Sequence, residues 1–272
     1  MTRPRRIAVW LAGLFILYLL IEYATLPNVS VLKEKNPETT ALMEIRTEET
    51  RQAGRQPRRV QSWVAYARIS PSLKNAVLVG EDINFFSHHG FDAEEIRAAF
   101  RENWQKRRFA RGASTITQQL AKNLYLSPSK SPIRKLKELL IARRLEGELS
   151  KGRIFELYLN VIEFGDGIYG VEAASRVYFG KSASALSLDE AALLAATIPN
   201  PLHTNPARPT RGLRWRQSLI LKRLEWYGAR SDPSTRPPVT IPADSLSEFG
   251  TEEAPPTETP AAPDSTEKSS DQ

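Results

Sequence analysis

The sequence predicts a mainly α-helical domain. Ser131 and Pro132 are typical of a helix start, and apolar residues then recur at helical spacing to about Leu149. Ser150 is predicted to cap the next helix, and Ser187 and Glu190 form a capping box ahead of a stretch rich in alanine and leucine. The sequence has no strand-like alternation of apolar and polar residues that lasts more than a few positions. We therefore expect helices and little sheet.

The N-terminal residues predict a membrane anchor. The apolar run over residues 7–24 contains one charged residue, Glu22, and as a helix it would span about 27 Å, just enough for the hydrocarbon core of a bilayer. Three arginines in residues 1–6 keep that end in the cytoplasm by the positive-inside rule. A cleavable signal peptide is the alternative, although no clear cleavage site follows the run. Both interpretations put the remaining chain outside the cytoplasm.

The rest of the chain divides into a linker, a domain and a tail. Residues 25–59 are charged and poor in large apolar groups, as in a linker, and the domain is predicted over residues 60–230. Residues 231–272 hold eight prolines and nine acidic residues against two basic ones, a composition typical of a disordered segment. The tail therefore carries a charge of −7, and the net charge of +7 leaves +14 on residues 1–230.

Charge and cysteine content narrow the possible functions. A basic extracytoplasmic domain beside a bilayer indicates anionic partners such as headgroups, diphosphates or wall polymers, and no nucleic acid. The chain has no cysteine, which excludes disulfides, thiolate catalysis and cysteine-ligated metals.

The first chemically rich segment, residues 81–90, reads EDINFFSHHG. Its adjacent carboxylates precede two phenylalanines, and apolar rings near a carboxylate raise its pKa toward the range of a general base. By itself an acidic pair is also typical of solvated surface. A metal site at the two histidines is not favoured, because neighbouring side chains diverge and no third histidine lies nearby. The candidate residues here are Glu81, Asp82, Phe85, His88 and Gly90.

The second segment, residues 112–123, reads GASTITQQLAKN. Hydroxyls, side-chain amides and a lysine are the groups that proteins use to hold sugar hydroxyls and phosphates. A polar helix start has a similar composition and stays open as an alternative. The candidate residues are Ser114, Thr115, Gln118, Gln119, Lys122 and Asn123.

The third segment places positive charge at the start of a helix. Lys130, Arg134 and Lys135 crowd the positive end of the helix dipole, which costs about 0.3–1 kcal/mol per cation unless an anion binds there. A diphosphate would remove that cost. Glu138 lies four residues after Arg134, on the same face, and an ordinary salt bridge between the two is the alternative interpretation.

In this order and spacing, the segments resemble the motifs of glycosyltransferase family 51, the peptidoglycan glycosyltransferases, and most closely its monofunctional biosynthetic branch. The first motif, E-D-x-x-F-x-x-H-x-G, matches residues 81–90, and the second matches residues 112–123 with Ala113 in place of a glycine. The third falls on Arg134, Lys135 and Glu138. The fourth corresponds to Ile154, Glu156, Tyr158, Leu159 and Asn160, and the fifth to residues 187–196. The resemblance covers about residues 73–208.

The resemblance implies a fold, an activity and a location. The fold would be a lysozyme-like helical lobe with a smaller membrane-facing jaw lobe, preceded by one transmembrane helix. The enzyme would polymerise lipid II into β-1,4-linked glycan strands with inversion, release undecaprenyl diphosphate and have no transpeptidase activity. It would be a single-pass protein of the bacterial inner membrane with its catalytic domain in the periplasm. Its implied partners are lipid II, the growing glycan strand, the bilayer and other proteins of wall synthesis or division.

The resemblance also implies residue roles. Glu81 would be the base that deprotonates the acceptor's sugar 4-hydroxyl, and Glu138 would help the diphosphate to depart or hold a divalent cation. Substrate binding would fall to Asp82, Phe85, His88, Gly90, Ser114, Thr115, Gln118, Gln119, Lys122, Asn123, Arg134 and Lys135. No cofactor is expected to be obligatory, and any divalent cation would be Mg²⁺ or Mn²⁺ bound with the substrate diphosphate.

Two other functions stay open. A lysozyme-like hydrolase or lytic transglycosylase would use acidic residues in a similar helical lobe, but a glycan cleaved internally has no diphosphate for the cations to stabilise. A non-catalytic scaffold that binds wall-synthesis proteins is less expected, because both Glu81 and Glu138 are present.

Overall fold

The structure is a computed structural model that describes residues 3–92, 97, 101, 114–129 and 131–227. Over these ranges the protein is mainly helical, as the sequence predicts. The helices are α1 Arg3–Ala24, α2 Ala41–Gln52, α3 Pro71–Glu81, α4 Ile116–Tyr125, α5 Pro132–Glu148, α6 Lys151–Val161, α7 Val171–Phe179, α8 Leu188–Thr197 and α9 Arg211–Trp226. The short strands are β1 Val60–Gln61, β2 Glu163–Gly165 and β3 Ile168–Tyr169, and 3-10 turns cover Ser30–Lys33 and Tyr66–Arg68.

Hydroxyl side chains set the helix starts that the sequence predicts. The Ser150 hydroxyl accepts a hydrogen bond from the backbone N–H of Arg153 at the start of α6. The capping box at α8 is complete, since Ser187 and Glu190 each accept from the other's backbone N–H. Ser131 precedes α5 as predicted, although its side chain makes no capping bond to any described residue.

Two groups of packed helices bring the site segments together. α4 packs against α5 and α6, and α8 packs against both α3 and α9. The shared core contains large side chains that are fully buried, including Phe85, Leu120, Leu145 and Tyr158. The end of α3 and the starts of α4 and α5 therefore surround one region of the domain.

A small sheet closes one edge of the helical core. β3 is the central strand, parallel to β1 and antiparallel to β2. Asn160, at the end of α6, ties this edge to the core, because its side-chain amide donates to the carbonyl of Val64 and accepts from the backbone N–H of Val64 at 2.8 Å. The Asn160 side chain of the fourth motif therefore supports the fold.

The segment predicted as a linker, residues 25–59, packs onto the domain. Val29, Leu32 and Met43 are buried in the core. Arg46 on α2 donates to both carboxylate oxygens of the buried Glu163. The linker prediction is therefore wrong for this segment, because a small number of well-placed apolar side chains is enough to bury a stretch that is mostly charged.

The predicted anchor, residues 7–24, coincides with α1, so its helical conformation is confirmed. The end of α1 is fixed to α5, where Lys137 forms an ion pair with Glu22 and the guanidinium of Arg144 donates to the carbonyl of Tyr23. None of the helices in the described part of the chain has the length and apolar character of a membrane span. The predicted tail, residues 231–272, lies outside the described residues.

Candidate active site

Glu81 is the last residue of α3 and lies in a largely buried environment. Its Oε2 atom accepts a hydrogen bond of 2.9 Å from Nε2 of Gln119 on α4. Burial raises the pKa of the Glu81 carboxyl above its usual value, and the hydrogen bond from Gln119 and the positive charges of Arg216 and Lys122 oppose that rise. The carboxylate is therefore a stronger base than one in water and is not ion-paired with any described residue.

Tyr158 on α6 fixes the orientation of the Gln119 amide. Its hydroxyl donates to Oε1 of Gln119 at 3.0 Å, which leaves the amide N–H group to point at Glu81. Burial and the charges of Glu81 and Asp82 raise the pKa of Tyr158 well above its usual value, so the hydroxyl stays protonated and acts as a donor. The sequence placed Tyr158 in the fourth motif without assigning it to the site, and its aromatic residue type gave no sign of this contact.

Asp82 and His88 secure the loop that follows Glu81. The Asp82 carboxylate accepts from Nε2 of His88 at 3.0 Å and from the backbone N–H of Ile116 at 2.9 Å, at the start of α4. Both side chains are buried. Among the described residues, no three or more histidine, aspartate, glutamate or cysteine side chains are grouped as metal ligands would be.

Gly90 lets the same loop approach α5 closely. Its φ of +89° is in the region that favours glycine, and a Cβ atom there would lie 3.6 Å from the backbone of Ala142. The Gly90 carbonyl accepts hydrogen bonds from the Thr115 hydroxyl at 2.9 Å and from the Gln118 side chain at 3.1 Å. The first motif is therefore bound directly to the second.

Glu138 organises a cluster of cations on α5. It is 3% exposed, and its two carboxylate oxygens accept from Nη1 of Arg134 at 2.6 Å and from Nζ of Lys135 at 2.5 Å. Lys135 also donates to Ser114 Oγ at 3.1 Å and to Gln118 Oε1 at 2.9 Å. The Arg134–Glu138 salt bridge, which was the alternative interpretation of the spacing, is present and is part of a wider network. Lys130 lies outside the described residues.

Hydrogen bonds connect the two carboxylates into one site. Gln119 bonds both to Glu81 and to the backbone carbonyl of Ser114, at 3.4 Å, and the Ser114 hydroxyl accepts from Lys135, which holds Glu138. Lys122 is within electrostatic range of both carboxylates, and burial lowers its pKa. The Lys122 side chain makes no hydrogen bond or ion pair with any described residue. Its charge is therefore available to a bound anion.

Some candidate residues support the site from inside the core. Phe85 is 0% exposed and packs edge-on against Phe86, with ring centroids 5.0 Å apart. Its ring therefore supports the site from the core, and the substrate-binding role expected for Phe85 stays a prediction. Asn123 is also buried, whereas Ser114 is exposed. Gly112 and Ala113 lie outside the described residues.

The site lies within a region that matches a known family. A family model described as Transglycosylase matches residues 47–225, which include the whole site. The chain belongs to this transglycosylase family. It is 45% identical over 214 residues to the biosynthetic peptidoglycan transglycosylase of Dechloromonas aromatica (strain RCB), an alignment covering 79% of this chain and 93% of that protein.

Other relatives agree with this assignment. The transglycosylase is 48% identical over 190 residues to a protein with the same name from Thiobacillus denitrificans (strain ATCC 25259 / T1), covering 70% of this chain and 82% of the relative. It is 43% identical over 216 residues to another from Chromobacterium violaceum, covering 79% and 95%. The family resemblance predicted from the motifs is confirmed.

Proposed function

We propose that this transglycosylase polymerises lipid II into β-1,4-linked glycan strands and releases undecaprenyl diphosphate. One observation carries the proposal. A carboxylate with a raised pKa and no ion-pair partner among the described residues belongs to the same hydrogen-bonded site as a cluster of cations. Glycosyl transfer from a diphosphate needs both, because a proton must leave the acceptor hydroxyl and negative charge must develop on the leaving group.

Glu81 accepts the proton in this mechanism. As the acceptor's 4-hydroxyl oxygen bonds to the donor's anomeric carbon, its proton moves to the Glu81 carboxylate. The bond from the anomeric carbon to the diphosphate oxygen breaks, the electron pair leaves with the diphosphate, and the configuration inverts. Gln119 holds the carboxylate oriented through its hydrogen bond of 2.9 Å without neutralising its charge.

Lys122, Arg134 and Lys135 stabilise the leaving diphosphate. Lys135 is held by three oxygen acceptors, so its charge is already in place before the substrate binds. Preorganised charge of this kind stabilises a transition state without reorganisation during the reaction. Glu138 keeps Arg134 and Lys135 close together, because its negative charge offsets the repulsion between their positive charges.

The arrangement around Glu138 indicates where a divalent cation would bind. Both of its oxygens are engaged by cations, and a Mg²⁺ or Mn²⁺ ion bound there would have to displace them. Oxygen atoms of the substrate diphosphate are the ligands that such an ion prefers. We therefore assign any divalent cation to the substrate and the positioning role to Glu138.

We further propose that the protein is attached to the inner membrane by residues 7–24, with its domain in the periplasm. Apolar side chains along α1 are exposed, including Trp10 and Leu14, and arginines precede them. The membrane-facing jaw lobe and partners from wall synthesis or cell division stay predictions of the family resemblance.

The test is a polymerisation assay with full-length protein in detergent and fluorescent lipid II. We expect glycan strands that grow with time and that lysozyme digests. Absence of polymer across a range of detergents and divalent ions would contradict the proposal. Loss of turbidity in a suspension of purified sacculi, without polymerisation, would instead identify a lytic enzyme.

A further inference from the structure

Helix α9 carries an arginine where its helical position calls for an apolar residue. Arg216 lies three residues after Leu213 and four residues before Ile220, and both of these are buried in the core. Residues at these spacings share one face of a helix. The Arg216 backbone therefore lies on the face of α9 that packs on the domain, while its side chain is exposed.

Packing between α9 and α3 places Arg216 near the end of α3. The Arg223 guanidinium donates to the carbonyl of Val79 at 2.9 Å, and a Cβ atom on Gly80 would lie 3.3 Å from the Ile220 side chain. Residues closer to the start of α9 therefore lie beside residues closer to the end of α3: Arg223 contacts Val79, and Ile220 contacts Gly80. One further turn of α9 brings Arg216 to the side of Glu81, the last residue of α3.

Arg216 acts on the Glu81 carboxylate from outside the cation cluster on α5. Its side chain forms no hydrogen bond or ion pair with the residues that the structure describes, yet it acts electrostatically on Glu81 more strongly than Asp82 or Lys122 does. Among the described residues, the groups facing Glu81 are Asp82 from the loop, Gln119 and Lys122 from α4, Tyr158 from α6 and Arg216 from α9. Lys122 also interacts electrostatically with Glu138, Arg134 and Lys135, and we expect it to contact the diphosphate.

We propose that Arg216 is a positioning residue that keeps the Glu81 carboxylate ionised between turnovers, so that it can accept the proton of the acceptor hydroxyl. Burial of a base favours its protonated, inactive form, and a nearby cation outside the diphosphate cluster counters that effect. Because Arg216 approaches from α9, this effect persists while Lys122, Arg134 and Lys135 are occupied by substrate. The proposal rests on the proposed polymerase function.

The test compares pH–rate profiles for lipid II polymerisation by full-length wild-type protein and the variants Arg216→Gln, Arg216→Lys and Arg214→Gln. Removal of the charge should move the acidic limb of the Arg216→Gln profile toward higher pH. Its kcat should fall about threefold to tenfold near pH 6 and return to within about twofold of wild type above pH 8. Arg216→Lys should restore the wild-type profile. Arg214 is exposed on the same helix but off its packed face, so Arg214→Gln should leave the profile unchanged.

Each other outcome overturns the proposal. An equal loss at every pH with a raised KM would make Arg216 a substrate contact, and an equal loss with a lowered Tm would make it structural. A second readout does not need enzymatic activity: the pH dependence of carbodiimide labelling of Glu81, followed by mass spectrometry, should shift upward in Arg216→Gln. If wild-type protein does not polymerise lipid II, the proposed function fails, whereas an unshifted labelling curve refutes the role of Arg216 by itself.

Discussion

The site contains two glutamates with opposite surroundings. Glu81 lies at the end of α3, where its described hydrogen-bond partner is the neutral amide of Gln119. Glu138 lies on α5, where Arg134 and Lys135 hold both of its oxygens. Burial raises the pKa of Glu81, and it is free of direct ion pairs with the described residues.

The difference shows how one residue type serves two purposes within a connected site. A carboxylate held by an amide keeps its basicity and can accept a proton. A carboxylate held by two cations has both of its oxygens occupied, and it gathers positive charge that a diphosphate can then share. The neighbours of each glutamate, rather than the glutamate itself, decide its role.

The largest expected effect comes from Glu81→Gln. The substituted amide is nearly isosteric and can still accept the hydrogen bond from Gln119, but it cannot take a proton. We expect the polymerisation rate to fall about 10²- to 10⁴-fold, the range typical of losing a general base. The rate is measured with fluorescent lipid II, and circular dichroism serves as the check on folding. Full activity in a folded variant would show that another group is the base.

A smaller loss of activity, with a loss of stability, is expected for Glu138→Gln. Arg134 and Lys135 would lose their shared anion and repel each other, so the cluster would lose its geometry. We expect polymerisation to fall about 10- to 100-fold, because the cations themselves remain to act on the leaving group. The measurement is kcat together with Tm.

The control for Glu138→Gln is Glu163→Gln. Glu163 is also buried and ion-paired, with Arg46 on α2, but its strand lies at the sheet edge and it is not part of the hydrogen-bond network of the site. The control should lower Tm and keep its activity at temperatures where it is folded. Equal losses of activity in the two variants would show that Glu138 contributes to stability and has no separate role in the reaction.

The sequence predicted the helical part of the fold better than it predicted the domain boundary. Helix starts at Ser150 and Ser187 depend on local capping bonds, which residue type and spacing reveal. The packing of residues 25–59 depends on contacts with distant partners, such as the contact of Arg46 with Glu163. Local composition carries no information about such partners, so the composition of a mostly charged segment predicts a linker.

For the site, the motifs identified the two glutamates but did not reveal which neighbouring residues surround each of them. Asp82 and His88 are as prominent in the first motif as Glu81, yet they bind each other inside the loop. Tyr158 and Arg216 approach the site from α6 and α9, far along the chain. An arginine in the apolar stripe of α9 was a signal in the sequence, but its target became apparent only from the packing of α9 on α3.

The smallest expected effect is on thermal stability. Near pH 8, replacing Glu81 should raise Tm, whereas replacing Glu138 should lower it. Because burial raises the Glu81 pKa in the folded protein, the stabilising contribution of this group is complete below the pKa of a glutamate in the unfolded chain. That contribution is lost as the pH rises through the pKa of the folded state. Glu81→Gln escapes this loss, so its Tm should match wild type near pH 4 and exceed it by a few degrees near pH 8.

Glu138→Gln should show the reverse, with a Tm below wild type near pH 8, because two cations are left without their anion. Scanning calorimetry of the three proteins across this pH range measures both differences. If Glu81→Gln were less stable than wild type near pH 8, the Glu81 carboxylate would contribute net stability there. The attraction of the Glu81 carboxylate to Arg216 and Lys122 would then outweigh the cost of its burial. Both glutamates would then stabilise the fold near pH 8 and would differ only in how much.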